Sequence, residues 1–405
     1  MRGILNQFPN GKSSAPVQKR LSVESKSPLG DLAVEIFLAK DWQRRWRLLR
    51  SAMPDFANPL TPQAIFRLAA RDDVESRLVA REGRRFHLEH GPFTARRIRG
   101  LPPRRWTLLV QGINLHVPAA DALLRRFDFI PYARLDDVMV SYAAPGGGVG
   151  PHVDSYDVFL LQGMGRRRWR LGKPSAPELR AHPSLRLLKR FTAQATHVLR
   201  TGDMLYLPPS IAHDGVALDE CITYSIGFRA PAAEEIAREF LIFMEERLRA
   251  GGRFRDPGRV PARQPAALPE DLTRWAGRVI KSIRWSRSDI AAFIGTFLSE
   301  PKATTVFSPP AQPLSPAELR RSVSRGGASL DRRSILLYRR GRFYLNGEEL
   351  GPFGRVDAAL LRTLADRRHI PATAISRQLS DIFYREYRDG ALHPGYAAAA
   401  YPFAG

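Results

Sequence analysis

One stretch of this 405-residue chain holds side chains suited to gripping a metal ion: Gly146-Gly147-Gly148-Val149-Gly150-Pro151-His152-Val153-Asp154, continuing through Ser155-Tyr156-Asp157-Val158-Phe159. In extended backbone alternate side chains share a face, so His152 and Asp154 point the same way, a few ångströms apart. An imidazole and a carboxylate so placed chelate one ion. A third ligand on a neighbouring strand completes a triad of two histidines and one carboxylate, which leaves three coordination positions open. That arrangement suits non-haem Fe(II) that must bind dioxygen and a co-substrate. The His-x-Asp spacing alone carries little weight, because about half an occurrence is expected by chance in such a chain.

The context supplies the weight. Gly202-Asp203-Met204-Leu205-Tyr206-Leu207-Pro208-Pro209-Ser210-Ile211-Ala212-His213 reads as a turn, a short apolar strand, a Pro-Pro stop and then a histidine, so His213 is the expected third ligand. Its competitor, His197, sits inside the apolar run Ala195 to Leu199 with no turn to present it, and reads as a core or edge histidine. Open iron positions call for a chelating organic acid, and its carboxylate needs a buried cation. In Arg166-Arg167-Arg168-Trp169-Arg170-Leu171, alternation puts Arg167 with Trp169 and Leu171 on the inner face and the other three arginines outside. The planar fork of Arg167 suits bidentate capture of a carboxylate. The outer three read as a solvated face or as a contact for an acidic surface. In Cys221 to Phe228, Thr223, Ser225 and Gly227 alternate with Ile222, Tyr224, Ile226 and Phe228. Ser225 is placed to donate to the same acid, unless the small polar face is simply solvated.

These residues need a rigid scaffold, and the surrounding pattern provides one. Between about Trp106 and Pro231 short β-branched or aromatic runs (Trp106 to Val110, Asp137 to Tyr142, Val158 to Gln162, Arg166 to Leu171, Ala195 to Leu199, Met204 to Leu207, Ile222 to Phe228) alternate with Gly- and Pro-rich turns. Such spacing predicts an antiparallel sandwich or barrel. Before it, residues 1–28 read as a flexible tail, and the region from Leu29 mixes helical patterns (Leu32 to Leu49, Pro62 to Ala70) with short β-like runs (Ser76 to Val79, Phe86 to Leu88) as a wrap on the barrel.

After Pro231 the period becomes helical. One helix is expected from Pro231 to the Gly251-Gly252 stop, and a second block runs from Pro269 to Ser299; their aromatic faces must pack on a second subunit or on the barrel. Beyond a Ser/Pro linker (Thr304 to Pro316), a helix (Pro316 to Ser324), a hairpin (Ser334 to Leu345) and a helix (Val356 to Arg367) suggest a small winged-helix-like module. The expected division is therefore 1–28, 29–231, 232–303 and 304–405.

Composition narrows the classes. With 44% apolar residues the chain can bury a core. Its formal charge of +23 admits an acidic or nucleic-acid partner. Only eight of its 63 cations are lysines, however, so the excess is arginine and partly reflects base composition. A single cysteine, Cys221, excludes an internal disulfide and a Cys-only zinc site, and fits a reducing cytoplasm. No apolar run reaches the 18 or so residues of a membrane span, and no secretory h-region opens the chain.

The blocks "PGGGVGPHVDSYDVFLLQGMGRRRWRLG", "GDMLYLPPSIAHDG" and "ECITYSIGFRAP", with "VESRLV" and "HGPF" earlier, resemble the bacterial ribosomal oxygenases of the Jumonji-C, cupin-like superfamily. The resemblance is strongest to the arginine hydroxylases of large-subunit ribosomal protein sixteen. It implies a mainly β chain with helices: a double-stranded β-helix core, a helical dimerisation region and a C-terminal winged-helix-like domain. It implies Fe(II) on His152, Asp154 and His213, and 2-oxoglutarate held by Arg167 beside Ser225. The implied reaction couples oxidative decarboxylation of 2-oxoglutarate by O2 to hydroxylation of an arginine β-carbon in a large-subunit ribosomal protein, by a cytoplasmic homodimer.

A cationic substrate needs acceptors at the mouth, and Asp136, Asp137, Tyr156 and Asp157 are candidates by proximity in sequence, Asp137 and Asp157 being equally suited to structural roles. Three other readings compete: a histidine hydroxylase of another ribosomal protein, a cupin that binds without turnover, and a nucleic-acid-binding regulator in which the winged module and the positive charge do the work.

Overall fold

A computed structural model describes residues 27–83, 85–173 and 187–395. The expected flexible tail, residues 1–28, lies outside the described residues except for its last two. Every paired strand below is antiparallel. Twelve strands form two facing sheets: β1 (Arg47–Leu49), β2 (Ser76–Glu82), β3 (Arg85–His90), β4 (Trp106–Val110), β5 (Leu135–Ala143), β6 (His152–Val153), β7 (Val158–Met164), β8 (Arg167–Gly172), β9 (Ala195–Leu199), β10 (Met204–Leu207), β11 (Ala212–Ala217) and β12 (Cys221–Phe228). The larger sheet runs β1-β10-β7-β12-β5-β4-β2-β3 and the smaller β6-β11-β8-β9. The crossovers between non-consecutive strands wind the chain into a double-stranded β-helix.

The larger sheet is two-faced because its strands alternate. On β12, Ile222, Tyr224, Ile226 and Phe228 join the main core, whereas Ser225 and Gly227 line a cavity between the sheets. On the outer face Phe37, Trp42, Phe127, Phe159, Tyr206 and Phe228 interlock with ring centroids 4.9–6.3 Å apart. Helices α1 (Val34–Lys40), α2 (Pro62–Ala69), α3 (Ala95–Arg99) and α4 (Pro118–Arg125) belong to this wrap. Helix α1 is shorter than the expected Leu32 to Leu49. It ends at a turn where the buried Asp41 carboxylate accepts from Arg45 Nε (2.6 Å) and Arg47 Nε (2.9 Å), and the chain then pairs with β10 as an edge strand.

Three helices follow: α5 (Ala233–Glu245), α6 (Glu270–Ser282) and α7 (Arg287–Ser299). The expected single block from Pro269 to Ser299 is broken because Ser286 starts a new helix, its hydroxyl accepting from Asp289 N while Asp289 caps Ser286 in return. The C-terminal unit contains α8 (Pro316–Gly326), β13 (Ala328–Leu330), β14 (Leu336–Arg339), β15 (Arg342–Leu345), β16 (Glu348–Leu350), α9 (Arg355–Arg367), β17 (His369–Ile370), α10 (Arg377–Arg388) and β18 (Leu392–Pro394). Strands β14, β15 and β16 make the wing, turning at Arg340-Gly341 and Asn346-Gly347, so the expected hairpin carries a third strand. Helix α7 packs on this wing: a Cβ on Gly295 would meet the Tyr344 ring at 2.4 Å, so only glycine allows that approach. Packing therefore groups α7 with the C-terminal unit, although it precedes the expected boundary at 304.

Candidate metal centre and keto-acid pocket

His152 and His213 are cross-strand partners. Strand β11 pairs with β6 so that the two residues lie opposite each other, and their rings come to 4.2 Å between centroids. Asp154, just beyond β6, places Oδ1 3.6 Å from His152 Nε2 and Oδ2 3.5 Å from His213 Nε2. One ligand atom from each residue falls within 4.8 Å of the others. Each histidine also places Nδ1 2.9 Å from a backbone carbonyl, that of Gly150 for His152 and of Ile211 for His213. A carbonyl only accepts, so Nδ1 carries the proton and Nε2 offers its lone pair to the centre. Burial, with the neighbouring His152 second, pushes the His213 imidazole down to about 4, which keeps it neutral and able to ligate. Two imidazoles and one carboxylate form a donor set that fits a divalent transition metal such as Fe(II).

The three residues line a cavity of about 430 Å³ between the sheets, and Arg167, Trp169, Ser225 and Gly227 line it too. Strand β8 alternates as expected, with Arg167, Trp169 and Leu171 buried and Arg168 exposed. Arg167 donates from Nη1 to Ser141 Oγ at 3.0 Å, whereas its buried Nε and Nη2 have no partner. The buried Trp169 Nε1 is likewise unpaired. Buried donors left unsatisfied are costly, and here they face a cavity of ligand size. A carboxylate entering it would satisfy the guanidinium, which fits a keto acid. Gly215 is required beside it, since a Cβ there would lie 2.5 Å from the Trp169 indole.

Of the outer arginines, Arg166 and Arg168 are both exposed; Arg166 pairs with Asp219 at 2.7 Å and Arg170 with Asp214. Arg170 is only half-exposed, which departs from the reading of a fully solvated face. His197 lies on β9 opposite Trp169, outside the cavity lining. Among the residues proposed to meet a substrate, Asp136, Asp137 and Tyr156 line the cavity, and burial raises the Tyr156 hydroxyl so that it stays protonated. Asp157 does not line it. Its fully buried carboxylate accepts from Tyr206 Oη (2.6 Å) and Gln43 Nε2 (2.9 Å) and has Arg134 Nη2 at 3.5 Å, which makes it a structural tie between β7, β10 and the turn after α1.

Sequence reasoning missed Ser141 and Gln111. Ser141 shares the inward face of β5 with Asp137 and Met139, so the period-two pattern that exposed Arg167 would also have found it. No local signal marks Gln111.

Two sheets wound as a double-stranded β-helix, with two histidines and an aspartate converging on the cavity between them, define the class: a Jumonji-C oxygenase of the cupin type. Comparison with known proteins agrees. A family model described as the JmjC domain matches residues 122–236, and one described as a ROXA-like winged helix matches 282–392. The chain is 36% identical to "Ribosomal protein uL16 3-hydroxylase" of Escherichia coli (strain K12) over 318 residues, 78% of this chain and 84% of the relative. It is 39% identical over 201 residues, 49% of this chain and 50% of the relative, to a "Probable ribosomal oxygenase" of Haemophilus influenzae. The solved structure of E. coli ycfD matches with a TM-score of 0.79 at 30% identity, covering 90% of this chain and 98% of that one. A structure of YcfD in complex with cobalt and 2-oxoglutarate matches at 0.75 and 30%, with the same coverage. The chain belongs to the ribosomal oxygenase family.

Proposed function

We propose that this protein is an Fe(II)- and 2-oxoglutarate-dependent oxygenase that hydroxylates the β-carbon of an arginine in ribosomal protein uL16. The observation that carries the reading is the convergence of His152, Asp154 and His213 in one cavity with a buried arginine that has two free donors. His152, Asp154 and His213 would hold the iron; Arg167 would hold the distal carboxylate of 2-oxoglutarate, with Ser225 on the facing sheet of the same cavity. When bound, the ferrous ion would bring dioxygen together with the keto acid, one oxygen atom and two electrons being accounted for by oxidation of 2-oxoglutarate to succinate and carbon dioxide and the other oxygen atom and two electrons by hydroxylation of the substrate C–H bond.

The chain's own residues orient and protect. The Nδ1 hydrogen bonds to Gly150 and Ile211 fix both rings, Ser141 steadies Arg167, and Val158, Leu160 and Trp169 keep water from the inner end of the cavity. Asp136 and Asp137 on the wall favour a cationic side chain over a neutral imidazole, which supports arginine over histidine as the target.

We further propose a division at about 231 and a second one ahead of α7 instead of at 303, a homodimer, and work in the cytoplasm beside the ribosomal substrate. Among the described residues no helix is long and apolar enough to cross a membrane. Helices α5 and α6 leave Leu241 (63%), Ile242 (55%) and Ile280 (66%) exposed, an apolar face that a second copy of the chain would cover. Light scattering should give twice the chain mass, and Leu241→Glu with Ile242→Glu should halve it.

The enzymatic test is direct. Purified protein with Fe(II), 2-oxoglutarate and a uL16 peptide should yield succinate and a peptide heavier by one oxygen atom at an arginine. Hydroxylation of a histidine instead, or none, overturns the reading.

A further inference from the structure

The acidic pair on the cavity wall is already engaged from behind. Asp136 and Asp137 are consecutive on β5, and one ammonium bridges them: Lys302 Nζ lies 2.9 Å from Asp136 Oδ1 and 2.9 Å from Asp137 Oδ2. Gln111 Nε2 donates to the same Asp137 Oδ2 at 2.7 Å. The other oxygen, Oδ1, is turned toward Gly227, where a Cβ would lie 3.7 Å from it. Gly227 belongs to the cavity lining and Lys302 does not. Lys302 thus grips the buried carboxylate from outside the cavity and Gln111 from its wall, both on Oδ2, and Oδ1 is left toward the cavity-lining Gly227.

The lysine arrives from the far end of the chain. It follows α7, the helix packed on the wing, and that junction is stitched to the barrel a second time. Arg229, just after β12, donates from Nη1 to the Leu298 carbonyl at 2.9 Å and keeps Nε 3.8 Å from Asp136 Oδ1. Two adjacent carboxylates repel unless a cation bridges them, and one released from its bridge turns to water or takes up a proton. Either movement would withdraw the inward oxygen.

We propose that Lys302 is a positioning residue for the substrate's cation: by bridging Asp136 and Asp137 it holds Asp137 Oδ1 toward the cavity as the acceptor for a guanidinium, so that the C-terminal unit completes the substrate subsite of the catalytic domain. This rests on the arginine-hydroxylase reading above. A guanidinium held by one fixed oxygen presents one C–H bond to the metal centre; a loosely held one lets 2-oxoglutarate be consumed without product.

The test uses the full-length protein and the Lys302→Met and Lys302→Arg variants. In the iron-loaded enzymes, hydroxylated peptide is measured against succinate. In the metal-free proteins, binding of the arginine peptide is compared by calorimetry with that of the same peptide carrying lysine instead. Lys302→Met is expected to lower product per succinate, and the preference for arginine over lysine, by about tenfold each. Lys302→Arg should keep both within about twofold, and succinate formed without peptide should be the same in all three. Unchanged product per succinate and unchanged preference in a folded Lys302→Met overturn the proposal. So does tighter binding with unchanged product per succinate, because the lysine would then set charge and not position. If the wild type itself leaves the arginine unmodified, the underlying function fails as well, an outcome distinct from a normal wild type beside an unaffected variant.

Discussion

Arg167 in the cavity and Asp331 in the C-terminal unit are both buried ionised groups, yet their surroundings treat them in opposite ways. Asp331 is saturated: it accepts from Arg333 Nε (2.6 Å), Arg333 N (2.9 Å) and Arg333 Nη2 (3.0 Å), and from His393 Nε2 (3.1 Å). Burial pushes its carboxyl up, but the hydrogen bonds from His393 and Arg333 outweigh that and hold it well below the usual carboxylate range. Arg167 makes one hydrogen bond, to Ser141. Among the described residues it is the one side chain with two buried N–H atoms lacking a partner. A closed cluster holds the fold together, because breaking it strands a charge. An open one beside a cavity gives the fold little and reserves its interaction for a ligand.

The sharpest break of this comparison is at the metal ligands. His152→Ala should lower hydroxylation by about a hundredfold or more, with the melting temperature of the metal-free protein nearly unchanged. A variant that loses stability and keeps activity would put the triad in the closed class. Next comes Arg167→Met, which removes a bidentate charge-assisted contact worth about 1.5–3 kcal/mol per hydrogen bond. The KM for 2-oxoglutarate should rise roughly ten- to a hundredfold, while the protein without keto acid melts no lower than wild type. A clear loss of stability would mean that Arg167 already has its partner within the fold.

Asp331→Asn should behave in the opposite sense, destabilising the C-terminal unit by about 3 kcal/mol and leaving the KM for 2-oxoglutarate unchanged. The smallest effect is a pH dependence. Because the folded state holds Asp331 below its unfolded value, its contribution is complete above about pH 4 and is lost as the pH falls toward the depressed folded value. Wild type should therefore lose melting temperature more steeply than Asp331→Asn below about pH 4, and parallel curves would show that the cluster contributes nothing on folding.

Much of the barrel was legible because strand alternation is local. The spacing in the arginine run separated buried Arg167 from exposed Arg168, which recurs in the fold, and the run after Cys221 set Ser225 and Gly227 on the cavity, although Thr223 on the same face donates to Gln162 and does not line it. Features set by distant partners were not legible. Strand β1 looked helical because its pairing with β10 leaves no local mark. Strand β11 follows a Pro-Pro turn and contains Gly215, which weakens any strand pattern. Asp157 lies three residues from Asp154, yet its neighbours are Tyr206 and Gln43, so of the substrate and structural roles that the sequence left open the fold takes the structural one.

The sequence by itself determined the kinds of donor and the face each takes on its own strand, since both follow from side-chain chemistry and the two-residue pleat. That His213 lies opposite His152, that Asp137 is gripped by a lysine from the C-terminal unit, and that Arg167 keeps two donors free were decided by the tertiary structure alone. Each depends on which strands meet and in what register, and register is fixed by the burial of whole faces rather than by any one segment.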